Sequence, residues 1–440
     1  MRFSKLAGSY EVVVKRSIGS LLIKAFSMAT SFLIVIVLAS ILGPEGYGVY
    51  VFALSLIAVI SIPSQVGLPL VIVRETAKAQ VNKNWYLIKK LWVWSNRYIL
   101  ISSICSLFVG CLLGLFGGFL LNEEQKTVLL IGLVTIPLVA FSYKYSASIQ
   151  GLNFVVLAQV PDKFIRPILL LALIFIINWA WEGHKLTPVY TMVIYSIVTL
   201  IVLVVSVIIL KKVEPKEIKE ISKSYDNSPE WRKSTLVLTT IGGLSLLNSH
   251  MDIIMLGILS TDGNVGVYRV IFQLGSLIVF GLAAISQVLQ PHLARIHKQG
   301  DIVELQKIVT FSSRVILIIS LPPVLILLFY GDWVLLTLFG DQYKDSAVSL
   351  NILVFGQIFN VAMGPVGIIL NMTGNERHAV QGVGIALILN LVLNFLLIPV
   401  YGVVGATIAT SVSLFVWNVI LRNRVRSKLG VEPSIFGNIF

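Results

Sequence analysis

The sequence predicts an all-α integral membrane protein with about 12 transmembrane helices in two parallel-repeat six-helix lobes around a central cleft. Three observations predict it. Apolar stretches close to the ~20 residues a helix needs to cross a bilayer recur from Ile18 to Leu421. The 440 residues are 56% hydrophobic and 12% charged, with a mean hydropathy of +0.90, whereas a soluble domain carries roughly twice that charge. Short motifs also recur in order about half a chain apart.

The predicted spans are 18–41, 46–70, 93–121, 127–149, 164–181, 188–210, 235–258, 265–290, 309–330, 346–370, 379–399 and 403–421. Each should be a helix, because backbone in lipid must satisfy its own hydrogen bonds and the runs lack the alternation of a membrane barrel. The first follows Lys15 and Arg16 with no small-residue cleavage pattern after it, so it reads as a retained helix and not a signal peptide. Trp85, Trp92, Trp94, Trp179, Trp181, Trp231 and Trp333 lie at or near span ends, as an interfacial aromatic belt would place them. Cys105 and Cys111 fall inside the third span and read as space-filling residues, with neither a disulfide nor a metal framework around them.

A net charge of +13 invites a nucleic-acid reading, but the distribution of the 34 Lys and Arg argues against one. With a cytoplasmic N-terminus, only Lys126, Lys185, Arg269 and Lys344 fall in or beside outer loops, and Lys24, Arg97 and Lys144 lie within helices. The rest are cytoplasmic, which is the positive-inside rule, and an even helix number returns Arg422, Arg424, Arg426 and Lys428 to that side. The expected partner is the lipid bilayer.

The repeat has three anchors. Gly48-Val49-Tyr50 returns as Gly266-Val267-Tyr268, at an offset of 218; Ser64-Gln65-Val66 returns as Ser286-Gln287-Val288, at 222; Gly151 returns as Gly374, at 223. Six is even, so both units start on one side and the repeat is parallel. The polar, charged segment 211–233 reads as a cytoplasmic linker. The expected organisation is an N-terminal lobe over 1–210, that linker, a C-terminal lobe over 234–421 and a cytoplasmic tail over 422–440.

Polar residues inside the spans are the candidate site. Ser20, Lys24, Ser27 and Ser31 share one face of the first helix, and Ser245, Asn248, Ser249 and Asp252 share one face of the seventh, its repeat partner. Matching stripes on symmetry-related helices point to a central cleft, although Ser and Thr alone also serve close helix packing. Lys24 is about 9 Å inside its helix at 1.5 Å per residue, within snorkelling reach of the interface. Asp252 is about as deep with a shorter side chain, so it must face water, pair with a cation or hold a proton, which makes it the candidate for ion coupling. His250 lies beside it, either as a packing residue or as part of the same site. Lys144, Arg166 and Arg269 are cations near helix ends, where interfacial anchoring is the alternative reading. Gln357 and Asn360 line one face of the tenth helix.

At Leu42-Gly43-Pro44-Glu45-Gly46-Tyr47-Gly48-Val49-Tyr50, the turn between the first two helices, the chain resembles the polysaccharide transporters of the multidrug/oligosaccharidyl-lipid/polysaccharide (MOP) exporter superfamily, the O-antigen (Wzx-type) flippases among them. The basic N-terminus, twelve helices, twin lobes and Gly151 extend the likeness along the whole chain. It implies alternating-access flipping of an undecaprenyl-diphosphate-linked oligosaccharide, such as an O-antigen repeat unit, from the cytoplasmic to the periplasmic leaflet of a bacterial inner membrane. It also implies a lumen lined with cations, a role carried over most readily to Lys24, then Arg269, then Lys144 and Arg166. A polysaccharide polymerase and a chain-length regulator are the partners it suggests. No cofactor is expected beyond a coupling ion, H+ or Na+.

A diphosphate cannot cross a bare bilayer core, and Lys or Arg in a cleft would offset that cost. A multidrug exporter of the same superfamily would need a more apolar, acid-lined cavity. A membrane glycosyltransferase or polymerase would need a sizeable outer loop, and the longest here, Gly331 to Asp345, is short. No phosphate-binding Gly loop, metal-ligand cluster or nucleophile–base arrangement is legible, so the reading is of a transporter and not an enzyme.

Overall fold

The computed structural model describes residues 2–118, 120–180, 186–220 and 229–438, apart from the side chains of 2–21, 24, 180, 220 and 229–230. Among them no strand occurs, and nine helical stretches are long and apolar enough to cross a membrane. The protein is therefore a multi-pass, all-α membrane protein. The first and last of the nine are each bent at a glycine. In α1 (Arg2–Ile60) Gly43 has φ 67°, and in α16 (Glu376–Leu429) Gly402 has φ 54°, so each run holds two predicted spans. That left-handed backbone excludes most side chains and reverses the chain sharply. Helix α8 (Arg166–Ala180) is too short for the nine and occupies the predicted fifth span.

The remaining elements follow in order. They are α2 (Ile62–Gln65), α3 (Leu68–Val81), α4 (Trp85–Phe116), α5 (Glu123–Gly132), α6 (Thr135–Gly151), α7 (Val155–Val160), a π turn (Pro161–Ile165), α9 (Pro188–Val213), α10 (Lys216–Glu220), α11 (Pro229–Leu259), α12 (Asp262–Gln299), α13 (Ile302–Phe339), a 3-10 turn (Asp341–Ser346), α14 (Ala347–Ala362) and α15 (Val366–Met372).

Two compact units emerge: Met1–Val37 with Ala53–Leu246, and Leu38–Phe52 with Leu247–Phe440. The division therefore falls inside α1 and α11, not in the expected linker, whose residues 221–228 lie outside the described residues.

In the first unit the second predicted span stops early. α1 ends at Ile60, α2 makes one turn, and the chain turns at Val66 and Gly67 into α3. The freed carbonyls are capped by side chains: Ser106 Oγ donates to Ile60 O at 2.8 Å and Thr239 Oγ1 to Val66 O at 2.7 Å. α3 buries Leu68, Val71, Ile72 and Ala79 in a core with Trp92, Trp94 and Trp231. Those three Trp are therefore core residues and not members of an interfacial belt, while Trp179 and Trp333 are exposed. Cys105 and Cys111 also depart from expectation. They are exposed on the face of α4 that carries Ile101, Ile104 and Phe108, so they fill no internal space.

In the second unit the turn after Gly43 lies against the start of α12. A Cβ at Gly48 would stand 1.8 Å from the Asp262 carbonyl oxygen, and one at Gly266 2.1 Å from that of Pro44. Tyr343 OH donates to the Ala39 carbonyl beside the bend at 3.2 Å. The tail is not solvated along its length. Arg422–Leu429 continue α16, and beyond Gly430 the chain folds back with Val431 and Ser434 fully buried. Glu432 takes Arg422 at 2.7 and 2.8 Å, Ser313 Oγ donates to Pro433 O at 2.7 Å, and Ile435 N–H reaches Ala362 O at 3.1 Å.

Candidate functional site

Each unit places a charged side chain in a hydrogen-bonded cluster between its helices. In the second unit it is Asp252 of α11, 6% exposed. Asn390 Nδ2 and Asn394 Nδ2 donate to its Oδ1 at 2.8 and 2.6 Å. Tyr268 OH donates to Oδ2 at 2.7 Å, and Thr410 Oγ1 lies 3.0 Å from the same oxygen. The bend at Gly402 assembles this cage, because Asn390 and Asn394 lie before it and Thr410 after it. Asn394 Nδ2 also donates to Asn390 Oδ1 at 3.0 Å, which fixes the amide pair one turn apart. Among the described residues no cation pairs with Asp252, so the carboxylate is solvated by neutral donors alone. Buried Asn394 Oδ1 has no hydrogen-bond partner. A buried carboxylate with no cation beside it and an orphaned amide oxygen next to it are acceptors that a proton or a small hard cation could engage if the amide N–H groups turned away.

In the first unit the charged group is Arg166, at the start of α8. Its Nη2 donates to Asp162 Oδ1 and its Nη1 to Thr199 Oγ1 at 3.0 Å; the guanidinium carbon lies 5.9 Å from the Tyr195 ring centroid. The side chains of Arg166 and Asp162 are 14% and 12% exposed. Ser146 Oγ of α6 donates to the other Asp162 oxygen at 3.3 Å. The carboxylate sits in the π turn Pro161–Ile165, and Phe164 of that turn packs tilted against Phe26 with centroids 4.6 Å apart. Such single π turns interrupt the helical ladder and recur at functional sites.

The other sequence-predicted residues fall outside these clusters. Lys24 lies on α1 with its side chain outside the described residues. Ser27 is half-buried and Ser31 exposed. Asn248 is exposed and His250 half-buried on α11. Lys144 is 3% exposed in the first unit's aromatic core, its Nζ 4.2 Å from the Tyr145 ring centroid and 5.6 Å from that of Trp92. Arg269 is half-buried and hydrogen-bonded to Tyr47. Gln357 and Asn360 form a buried chain with Asn418, Asn360 Nδ2 donating to Gln357 Oε1 at 3.2 Å and Asn418 Nδ2 to Asn360 Oδ1 at 3.0 Å. That pattern holds neighbouring membrane helices together.

Sequence reasoning missed Asp162, Thr199, Tyr195, Tyr268, Asn390, Asn394 and Thr410. Two signals were present. Asp162 and Arg166 stand four apart, and Asn390 and Asn394 repeat at the same spacing inside an apolar run.

Residues 13–297, well over half of the chain, match the family described as "Polysaccharide biosynthesis protein". A curated relative from Haloferax volcanii, a "probable low-salt glycan biosynthesis flippase Agl15", is 24% identical over 44% of this chain and 41% of its own length. The "capsular polysaccharide biosynthesis protein CapF" of Staphylococcus aureus is 30% identical over 41% and 46%. The matched stretches thus span less than half the length of either relative. A multidrug resistance MATE family transporter of the MOP superfamily, solved inward-facing, superimposes with a TM-score of 0.79 at 12% identity, over 92% of this chain and 94% of that one. The lipid II flippase MurJ in an inward closed conformation gives 0.72 at 15% identity, over 94% and 87%. These likenesses establish the fold alone, which the chain shares with those two proteins.

Proposed function

The chain belongs to the polysaccharide biosynthesis protein family, and on that premise we propose that it is a flippase. Its substrate would be an undecaprenyl-diphosphate-linked oligosaccharide, an O-antigen or similar polysaccharide repeat unit. It would move from the cytoplasmic to the periplasmic leaflet of a bacterial inner membrane, with both termini of the chain cytoplasmic. The observation that carries the reading is Arg166, a guanidinium held among apolar helices by Asp162 and Thr199. An intramembrane cation is costly unless it serves a substrate, and the Arg fork matches phosphate oxygens in a way an ammonium does not. Lys24, of the same unit, is the further cation we assign to the diphosphate. Ser27 and Ser31, on the same helix as Lys24, offer donors and acceptors to sugar hydroxyls.

We assign coupling to Asp252, by H+ or Na+. A carboxylate surrounded by four neutral donors and no cation gains most from a positive charge entering its cage. His250, two residues away, joins it as a second titratable group. A polysaccharide polymerase and a chain-length regulator would consume and size the flipped product.

Transbilayer movement of a fluorescent undecaprenyl-diphosphate oligosaccharide in proteoliposomes tests the reading. We expect movement with the wild type, its loss in Arg166→Gln, and loss of its pH or Na+ dependence in Asp252→Asn. No movement of any lipid-linked sugar, together with efflux of hydrophobic cations, would replace the reading with that of a multidrug exporter.

A further inference from the structure

We propose that Asp162 is a displaceable stand-in for the substrate's phosphate: it occupies Arg166 between transport events and hands the guanidinium over when a diphosphate arrives. The inference rests on the flippase reading and adds to it a selection device. A guanidinium only 14% exposed would be destabilising without a counter-charge, so Arg166 needs an anion at all times. The pairing is local, four residues apart on one segment. The segment is built to yield. It carries a π turn between Pro161 and Arg166, and Pro167 lacks the amide that would tie down the Lys163 carbonyl. Ser146 Oγ, already 3.3 Å from the second carboxylate oxygen, stays with Asp162 when the guanidinium leaves.

The arrangement discriminates by charge. A guanidinium has five N–H donors, and Asp162 and Thr199 each take one. A singly charged lipid would only exchange one monoanion for another. A diphosphate carries roughly two charges and several more acceptor oxygens, so it can outbid a carboxylate in a bidentate contact. Specificity of this kind comes from a competitor already in the site, which neutral and weakly anionic lipids fail to displace.

The test uses the full chain in nanodiscs with farnesyl diphosphate, methyl farnesyl phosphate (a monophosphate diester with one charge) and farnesol as probes. We expect the wild type to prefer the diphosphate, and Arg166→Gln to lose both phosphates. Asp162→Asn should bind both phosphates about tenfold tighter, with the monophosphate catching up, because the competing ion pair is gone. Should Asp162→Asn fail to fold, Asp162→Ser replaces it under the same criterion. Binding by the Asp162 variants no tighter than the wild type's overturns the stand-in, as does a wild type that binds no phosphate. Failure of the flippase reading is separate: it is a wild type that moves no lipid-linked oligosaccharide in vesicles, whatever the Asp162 variants bind.

Discussion

Arg166 and Asp252 solve the same problem in opposite ways. Both are charged side chains lodged among membrane helices, yet Arg166 is neutralised by a carboxylate four residues away, whereas Asp252 is held by hydroxyls and amides from three other passes. A neutralised pair can only exchange its partner for another anion. A carboxylate with neutral donors keeps its net charge and can accept a cation outright. On the proposed function, the difference suits anion handling to the Arg166 cluster and cation handling to the Asp252 cluster.

Substitutions at these sites break or sharpen that comparison. The largest effect belongs to Asp252→Leu, which strands four donors at once and should cost on the order of 4 kcal/mol in unfolding of the purified protein. Asp252→Asn should cost far less and remove ion dependence, which separates the carboxylate's charge from its role as an acceptor. Next comes Arg166→Gln. It leaves Asp162 half-buried without its cation, for about 2 kcal/mol, and adding Asp162→Asn should recover most of that loss in a double-mutant cycle. A cycle with no recovery would mean that the two residues do not act as a pair. Asn394→Ala removes a donor to Asp252 and one to Asn390, so a loss of about 1–2 kcal/mol is expected, with weakened ion dependence in transport.

The smallest effect is expected from Glu432→Gln, which probes the same ion-pair chemistry in more solvent. Partial burial raises the Glu432 carboxyl's pKa, but Arg422 and Ser434 outweigh that and hold it below the ordinary value. A carboxyl depressed in the folded state contributes stability that is full above its unfolded-state pKa and lost as pH falls through the folded one. Wild type and Glu432→Gln should therefore differ by no more than about 1 kcal/mol at pH 7 and converge in acid, as read by melting temperature across pH.

Much of the fold was legible because the bilayer imposes a single length and a single secondary structure on each apolar run. The bends at Gly43 and Gly402 fall between predicted spans for the same reason. What escaped was structure without a transmembrane signature. α3 hides a buried face, Val71, Ile72 and Ala79, among Arg74, Glu75 and Lys78, and reads as a basic loop. The tail folds back through backbone contacts that its composition does not announce. Asp252 could be singled out because a lone intramembrane carboxylate is conspicuous. Its partners could not, since Asn390 lies 138 residues away and only packing brings it near. Arg166 was visible as a cation, and its pair with Asp162 was encoded in the four-residue spacing without being read from it.

The reciprocal approach of Gly48 and Gly266 carries a consequence for substitution. Gly48 approaches Asp262 while Gly266 approaches Pro44, and Pro44 and Asp262 stand 218 residues apart, as the two glycines do. A side chain added at either glycine would meet a backbone carbonyl, so no change of a neighbouring side chain relieves the clash and only a shift of backbone makes room.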